Sequence, residues 1–136
     1  MSKSYIIMIV DDDDDDTELF CDAVKEVNKD IECISLSNSE EALRVLDLPA
    51  TELPDYIFLD LNMPRLSGKQ LLLKLKSNLR LRDIPVVIYT TSKLKKDMEE
   101  TKQLGAAFFL TKPDKLSELR KAIGLILEGK YNGVQQ

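Results

Sequence analysis

The sequence predicts an α/β protein: a parallel sheet with helices packed on both faces. Two observations lead there. Short β-rich apolar runs alternate with segments of helical period, and the alternation recurs five times along the chain. The first of these runs, "YIIMIV", also carries little polar–apolar alternation of its own, as a strand buried on both faces requires. No internal repeat and no linker to a second domain interrupts the pattern.

The elements follow in order. "YIIMIV" (Tyr5 to Val10) reads as the first buried strand. A helix is expected from about Asp16 to Asn28, with Leu19, Phe20, Ala23, Val24 and Val27 at helical spacing and Asp15 with Glu18 as a capping box. "IECISL" (Ile31 to Leu36) alternates, as an edge strand can. Asn38 or Ser39 can cap a second helix over Glu40 to Leu48, and Pro49 and Pro54 bracket a loop. "DYIFLD" (Asp55 to Asp60) is a third strand that ends on a carboxylate. Leu71, Leu72 and Leu75 mark the third helix, and "IPVVIY" (Ile84 to Tyr89) the fourth strand. Leu94 to Leu104 is a mostly polar helix with few apolar anchors. "AAFFL" (Ala106 to Leu110) is the fifth strand. The last helix runs from about Lys115 to Leu127 with Leu116, Leu119, Ile123, Ile126 and Leu127 on one face. Residues 1–128 are expected to form the domain, and 129–136, "GKYNGVQQ", a flexible tail.

Composition narrows the chemistry. The chain has 136 residues and a net charge of −5, which argues against a nucleic-acid surface, since that binding needs a basic patch. No apolar run has the length of a membrane span, and the N-terminal apolar stretch is too short for a signal peptide, so a cytoplasmic protein is expected. Cys21 and Cys33 form no C-x-x-C pair and are expected to be small buried hydrophobes in a reducing compartment. There is no histidine, which excludes histidine triads and histidine metal clusters. Chemistry here must run on carboxylates, hydroxyls, lysine or a metal.

In a sheet of this kind ligands bind at the carboxyl ends of the strands. Asp11 and Asp12 follow the first strand, Asp60 ends the third, Thr90 and Thr91 end the fourth, and Lys112-Pro113 follows the fifth. This set suits an oxygen-ligated Mg²⁺ and a phosphoryl group, with lysine as a point charge and hydroxyl as donor. The run "DDDDDD" (Asp11 to Asp16) then divides: Asp11 and Asp12 go to the cleft, and Asp13 to Asp16 to the loop and helix N-terminus, where negative charge is favoured. A Ca²⁺ loop starting at Asp11 fits poorly, because its sixth and twelfth positions hold Asp16 and Asp22 instead of Gly and Glu.

The segments "IVDD", "FLDLNMPRLSG", "PVVIYTTS" and "FFLTKP", in this order at successive strand ends, resemble the receiver domain of two-component response regulators, of the stand-alone, chemotaxis-regulator-like type. The resemblance covers about Tyr5 to Leu127. It implies a flavodoxin-like fold with strand order 2-1-3-4-5. It implies Asp60 as phosphoacceptor, with Mg²⁺, or Mn²⁺ in its place, held by Asp11, Asp12, Asp60 and the main-chain carbonyl of Asn62. Thr90 and Lys112 would contact the phosphoryl oxygens, and a cis bond before Pro113 would aim the lysine. Thr90 and Phe109 would form a switch, with Phe where many relatives have Tyr. Thr91 and Ser92 would modulate the acyl phosphate, Thr91 being bulkier than the Ala or Gly common there. The donor would be a sensor histidine kinase or a histidine phosphotransfer protein. The output would be a downstream protein at the face of the fourth helix, fifth strand and fifth helix, with no nucleic acid or membrane involved, and the chain a monomer or weak dimer. The protein would be no enzyme beyond catalysing its own phosphorylation and dephosphorylation. The threonine pair and "LRLRDIP" also resemble receivers paired with phytochrome-like kinases. A rival from another class is a phosphatase of the haloacid dehalogenase type, with Asp11, Asp13 and Asp15 as alternate aspartates and Asp11 as nucleophile.

Overall fold

A computed structural model describes residues 5–49 and 52–131. The element order is β1 (Ile6–Val10), α1 (Asp14–Val27), β2 (Glu32–Leu36), α2 (Ser39–Leu46), β3 (Tyr56–Leu59), α3 (Gly68–Lys76), β4 (Val86–Thr90), α4 (Lys95–Gln103), β5 (Phe108–Thr111) and α5 (Leu116–Leu127). The strands form one parallel sheet in the order β2-β1-β3-β4-β5, the flavodoxin-like topology, with β2 at an edge. The order doubles back beside β1, so the carboxyl ends of β1 and β3 flank the switch point.

The strand pleat sorts the core into two halves. Met8, Val10, Ile57, Leu59, Val86 and Ile88 pack with Ala42, Leu46, Leu71, Leu72 and Leu75 of α2 and α3. Ile7, Ile9, Phe58, Val87 and Tyr89 pack on the other face with Phe20, Ala23, Val24, Ile123 and Ile126 of α1 and α5. This is the period-two alternation of a pleated strand with both faces apolar, which explains why the sequence runs look unbroken. Phe20 is fully buried between the rings of Phe58 and Tyr89, at centroid distances of 4.7 and 5.3 Å. Burial of such a ring contributes roughly 1.5–3 kcal/mol.

Helix starts follow from side-chain caps. Asn38 caps α2 through the Glu41 N–H, and Ser67 with Gln70 makes a reciprocal capping box on α3. On α1 the cap is Asp13 and the expected Asp15–Glu18 box is displaced: Asp13 is extended, and its carboxylate accepts from the N–H groups of Asp15 and Asp16. An aspartate placed two residues earlier satisfies two free donors at once, and the helix starts there. Helix α4 has no side-chain cap, and Thr101 is its one fully buried residue, in keeping with its polar sequence.

Two expectations are corrected here. Cys21 and Cys33 are half-buried and bonded to each other rather than free buried thiols; α1 lies against β2 and brings their Cα atoms to 5.7 Å, inside the usual range for a disulfide. Spacing along the chain gave no sign of this contact between elements. The tail is not loose throughout: Tyr131 is buried and meets the Phe108 ring edge-on at 5.5 Å. An aromatic ring can still find apolar surface at the β5 edge of the sheet after α5 has ended. The rest of the expected tail, 132–136, lies outside the described residues.

Candidate functional site

The site is assembled by the ends of β1, β3, β4 and β5. Asp11 directly follows β1, its N–H still bonded to the Leu36 carbonyl at 3.1 Å, so the sheet ladder fixes its backbone. Its side chain is fully buried, and Oδ1 accepts the Asp13 N–H at 3.0 Å. Asp60 holds the equivalent place after β3: its N–H donates to the Val10 carbonyl at 3.0 Å and its Oδ1 accepts the Leu61 N–H at 2.8 Å. Asp12 is exposed at the rim. One carboxylate oxygen from each of Asp11, Asp12 and Asp60 lies within 4.8 Å of the others.

Three carboxylates this close repel one another, and Lys112 answers part of that charge. Its Nζ donates to Asp11 Oδ2 at 2.8 Å and to Asp16 Oδ2 at 2.7 Å, and stands 4.0 Å from Asp60 Oδ2. The ammonium also lies 5.4 Å from the centroid of the Tyr89 ring. Burial works against the charge on Lys112, but the hydrogen bonds to Asp11 and Asp16 and the field of Asp60 outweigh it, and its pKa is raised. Burial likewise pushes the Asp11 carboxyl upward, against the pull of Lys112 and the Asp13 N–H. Burial holds the Tyr89 phenol neutral, with its pKa pushed up to about 12.

Thr90 ends β4 with its side chain buried, and its Oγ1 accepts the Ser92 N–H at 3.4 Å. Ser92 continues outward: its hydroxyl donates to Asp97 Oδ2 at 2.6 Å, and its carbonyl accepts from Thr111 Oγ1 at 3.0 Å. Asp97 in turn pairs with Lys69 at 2.7 Å, tying the start of α4 to the start of α3. Thr91 is exposed, Asn62 is exposed in the loop after Asp60, and Phe109 already packs inside the α2–α3 half of the core. Gly68 is required by close approach: an added Cβ would stand 2.1 Å from the Asp60 carbonyl oxygen.

The expected cis bond before Pro113 is overturned; no peptide bond among the described residues is cis. Trans is the lower-energy form of an X–Pro bond by about 0.5–1 kcal/mol, and Lys112 reaches the cleft with the bond trans. The structure places Asp11, Asp12, Asp60 and Lys112 together in the cleft, and it adds Asp16, which the sequence alone places in the helix N-terminus. The signal was present: Asp16 precedes Phe20 by four residues and therefore extends the buried stripe of α1 toward the cleft.

The acid cluster offers oxygen ligands alone, with one of its carboxylates fully buried, and that donor set fits a hard divalent cation. Fold and site together define a class: a doubly wound α/β protein with an acidic, oxygen-lined centre and one ammonium at the switch point. Residues 7–124 match the family model of the response regulator receiver domain. The response regulator Rcp1 of Synechocystis sp. is 32% identical over 122 residues, covering 87% of this chain and 83% of that protein. The polar-differentiation response regulator DivK of Brucella anthropi is 35% identical over 113 residues, covering 83% and 86%. Among solved structures, the phosphorylated cyanobacterial phytochrome response regulator RcpA superposes with a TM-score of 0.83 at 29% identity, over 93% of each chain. The Mn²⁺-bound form of Rcp1 gives 0.80 at 30% identity, over 96% of this chain and 97% of that one. The chain belongs to the response regulator receiver family, the signalling domains of two-component systems. The phosphatase alternative is not favoured: Asp13 is occupied in capping α1, and Asp15 is exposed on the helix. Among the described residues no helix is long and apolar enough to cross a membrane.

Proposed function

We propose that this protein is a phosphorylation-operated switch in which Asp60 accepts a phosphoryl group from a histidine kinase or a histidine phosphotransfer protein. The observation that carries the reading is the meeting of Asp11, Asp12 and Asp60 within 4.8 Å, with the Lys112 ammonium against them. The chain has no histidine, so the phosphohistidine lies outside these 136 residues. Asp60 Oδ1 is engaged by the Leu61 N–H, which leaves Oδ2, on the Lys112 side, as the attacking oxygen. Asp11, Asp12, Asp60 and the main-chain carbonyl of Asn62 would hold Mg²⁺, or Mn²⁺ in its place, and that cation would supply neutralisation of charge between two anionic reactants. Lys112 stabilises charge on the transferring group, and the Thr90 hydroxyl supplies a hydrogen bond to one of its oxygens. The reaction is confined to the protein's own aspartate, formed and hydrolysed in place.

Output is by protein contact. Recruitment of the Thr90 hydroxyl to the phosphoryl group disturbs the Ser92 turn and, through the Ser92–Asp97 hydrogen bond, the start of α4. Helix α4 is held by few apolar contacts, so its resting position is cheap to leave. Phe109 moves with Thr90 by packing, as it has no hydroxyl for the outer face, and Thr91 and Ser92 set access of water to the acyl phosphate. An open groove of about 760 Å³ along α4, β5 and α5, lined in part by Thr91, Met98, Pro113, Leu125 and Tyr131, supports this face as the one a downstream protein reads. The chain works in the cytoplasm as a monomer or weak dimer, without nucleic acid or membrane.

The test is incubation with acetyl phosphate and Mg²⁺, followed by mass spectrometry of the modified peptide. A phosphoryl group on Asp60, and none on the Asp60→Asn variant, is expected. Uptake by that variant at the wild-type rate, or label on Asp11, would end the proposal and revive the phosphatase reading.

A further inference from the structure

Lys112 does not face Asp60 alone. Its shortest polar contact in the cleft is to Asp16, at 2.7 Å, closer than Asp11 at 2.8 Å and well inside the 4.0 Å to Asp60. Asp16 is the third residue of α1, and its backbone is pinned because its own N–H donates to the Asp13 cap. The cap itself is made by Asp13, so the Asp16 carboxylate is left for the lysine. That carboxylate is one-third exposed at the mouth of the cleft, whereas the lysine side chain is 11% exposed and the Asp11 side chain 1%. Its neighbours Asp14 and Asp15 carry the same charge in the same turn but lie exposed on the helix surface.

We propose that Asp16 is a positioning residue for Lys112: with Asp11 it forms a two-carboxylate rest that holds the ammonium out of hydrogen-bond reach of Asp60 until a phosphoryl group arrives. The proposal rests on the reading of Asp60 as phosphoacceptor. In that transfer an Asp60 oxygen bonds to phosphorus as the bond from phosphorus to the donor breaks, the electron pair leaving on the imidazole nitrogen of phosphohistidine or, in the assay below, on the acetate oxygen of acetyl phosphate. Lys112 keeps its proton throughout and changes only its partners. Asp11 has a second claimant in the cation its cluster fits, while Asp16 has none. The contact that must be given up before Lys112 can meet the phosphoryl oxygens is therefore the one to Asp16. Asp16 slows the lysine's arrival, and it draws the lysine back when the phosphoryl group is lost.

The experiment compares Asp16→Asn, Asp16→Glu and Asp15→Asn in the full chain. The first readout is the rate of phosphorylation by acetyl phosphate at fixed Mg²⁺. Asp16→Asn is expected to be faster by about fivefold, the size of an ion pair at a partly exposed site. Asp16→Glu, which keeps the charge, should return to within about twofold of wild type, and Asp15→Asn should not differ from it. The second readout needs no reaction: in a crystal structure of Asp16→Asn grown with Mg²⁺, where the cation competes for Asp11, Lys112 Nζ should have moved from 4.0 Å to hydrogen-bond distance of Asp60 Oδ2. Equal acceleration in Asp16→Asn and Asp15→Asn would mean that any lost charge speeds the approach of an anionic donor, and would overturn the proposal. So would an unaccelerated Asp16→Asn, or a lysine that stays on Asp11 in that crystal. The Asp60→Asn variant, run alongside, separates the two claims. Label on it removes the phosphoacceptor reading and this proposal together, whereas an unlabelled control with a failed Asp16 comparison removes the positioning role alone.

Discussion

The same substitution made at two glycines should have opposite signs. Gly68 opens α3, and Gly124 lies inside α5. A Cβ at Gly68 would stand 2.1 Å from the Asp60 carbonyl oxygen, 2.6 Å from the Leu61 Cα and 2.9 Å from the Asp60 carbonyl carbon. All three are backbone atoms, so no flexible side chain can swing aside. The loop carrying Asp60 would have to retreat, straining the 3.0 Å bond from the Gly68 N–H to the Leu61 carbonyl. Alanine gains about 0.8–1 kcal/mol of helix propensity over glycine. Overpacking costs about 1–3 kcal/mol and sometimes more, and a purely backbone clash belongs at the upper end. Gly68→Ala should therefore lose about 2 kcal/mol net. At Gly124 a Cβ would meet nothing within 4 Å, and Gly124→Ala should gain about 0.5–1 kcal/mol. With a urea slope of about 2 kcal/mol/M, the midpoint should fall by about 1 M in the first variant and rise by about 0.3–0.5 M in the second. Phosphorylation should drop only in Gly68→Ala, because only there does the Asp60 backbone move. A Gly68→Ala protein as stable and as active as wild type would refute the close-approach argument.

Three further predictions concern other parts of the molecule. The Tyr89 phenol, raised by burial from about 10 to about 12, stays protonated in the folded protein over a range where the unfolded chain releases its proton. Stability is therefore intact below about pH 10 and falls by roughly 2–3 kcal/mol as pH rises toward 12; Tyr89→Phe should flatten that slope in urea titrations at fixed pH. The Cys21–Cys33 bond closes a short loop of sequence separation 12, for which chain entropy gives about 3 kcal/mol. Reduction or Cys33→Ser should lower the denaturation midpoint accordingly, and no change would mean the thiols are unbonded in solution. Hydrogen bonds to Lys69 first, and to Ser92 next, hold the Asp97 carboxyl below its usual range. Asp97→Ala should loosen α4 by about 1 kcal/mol, read as amide exchange about fivefold faster in that helix and unchanged in α5.

Much of this molecule is legible in its sequence. Periodicity locates the ten elements of the described residues, because the buried strands of a doubly wound sheet and the apolar stripes of α1, α3 and α5 leave clear patterns. The central acids and the lysine were legible because each follows a strand directly, and a parallel sheet puts all such ends at one edge. What stayed hidden depends on packing between elements or on competition among like residues. In a run of six aspartates nothing local tells which one caps the helix, and the answer, Asp13, moved the start of α1 and turned Asp16 toward Lys112. The Cys21–Cys33 bond depends on how α1 lies over β2, and the packing of Tyr131 on how the chain leaves α5. A cis bond before Pro113 is implied by the resemblance and by no residue-level constraint, and the bond is trans.

A crystal structure grown with Mg²⁺ and a fluoride mimic of the phosphoryl group most directly tests the joint role of the three acids and the lysine. One ion on Asp11, Asp12 and Asp60, the mimic on Asp60 Oδ2, and Lys112 Nζ moved off Asp16 onto the mimic is the result this account requires. An ion bound elsewhere among the aspartates, or a mimic on Asp60 with Lys112 still on Asp16, would contradict it.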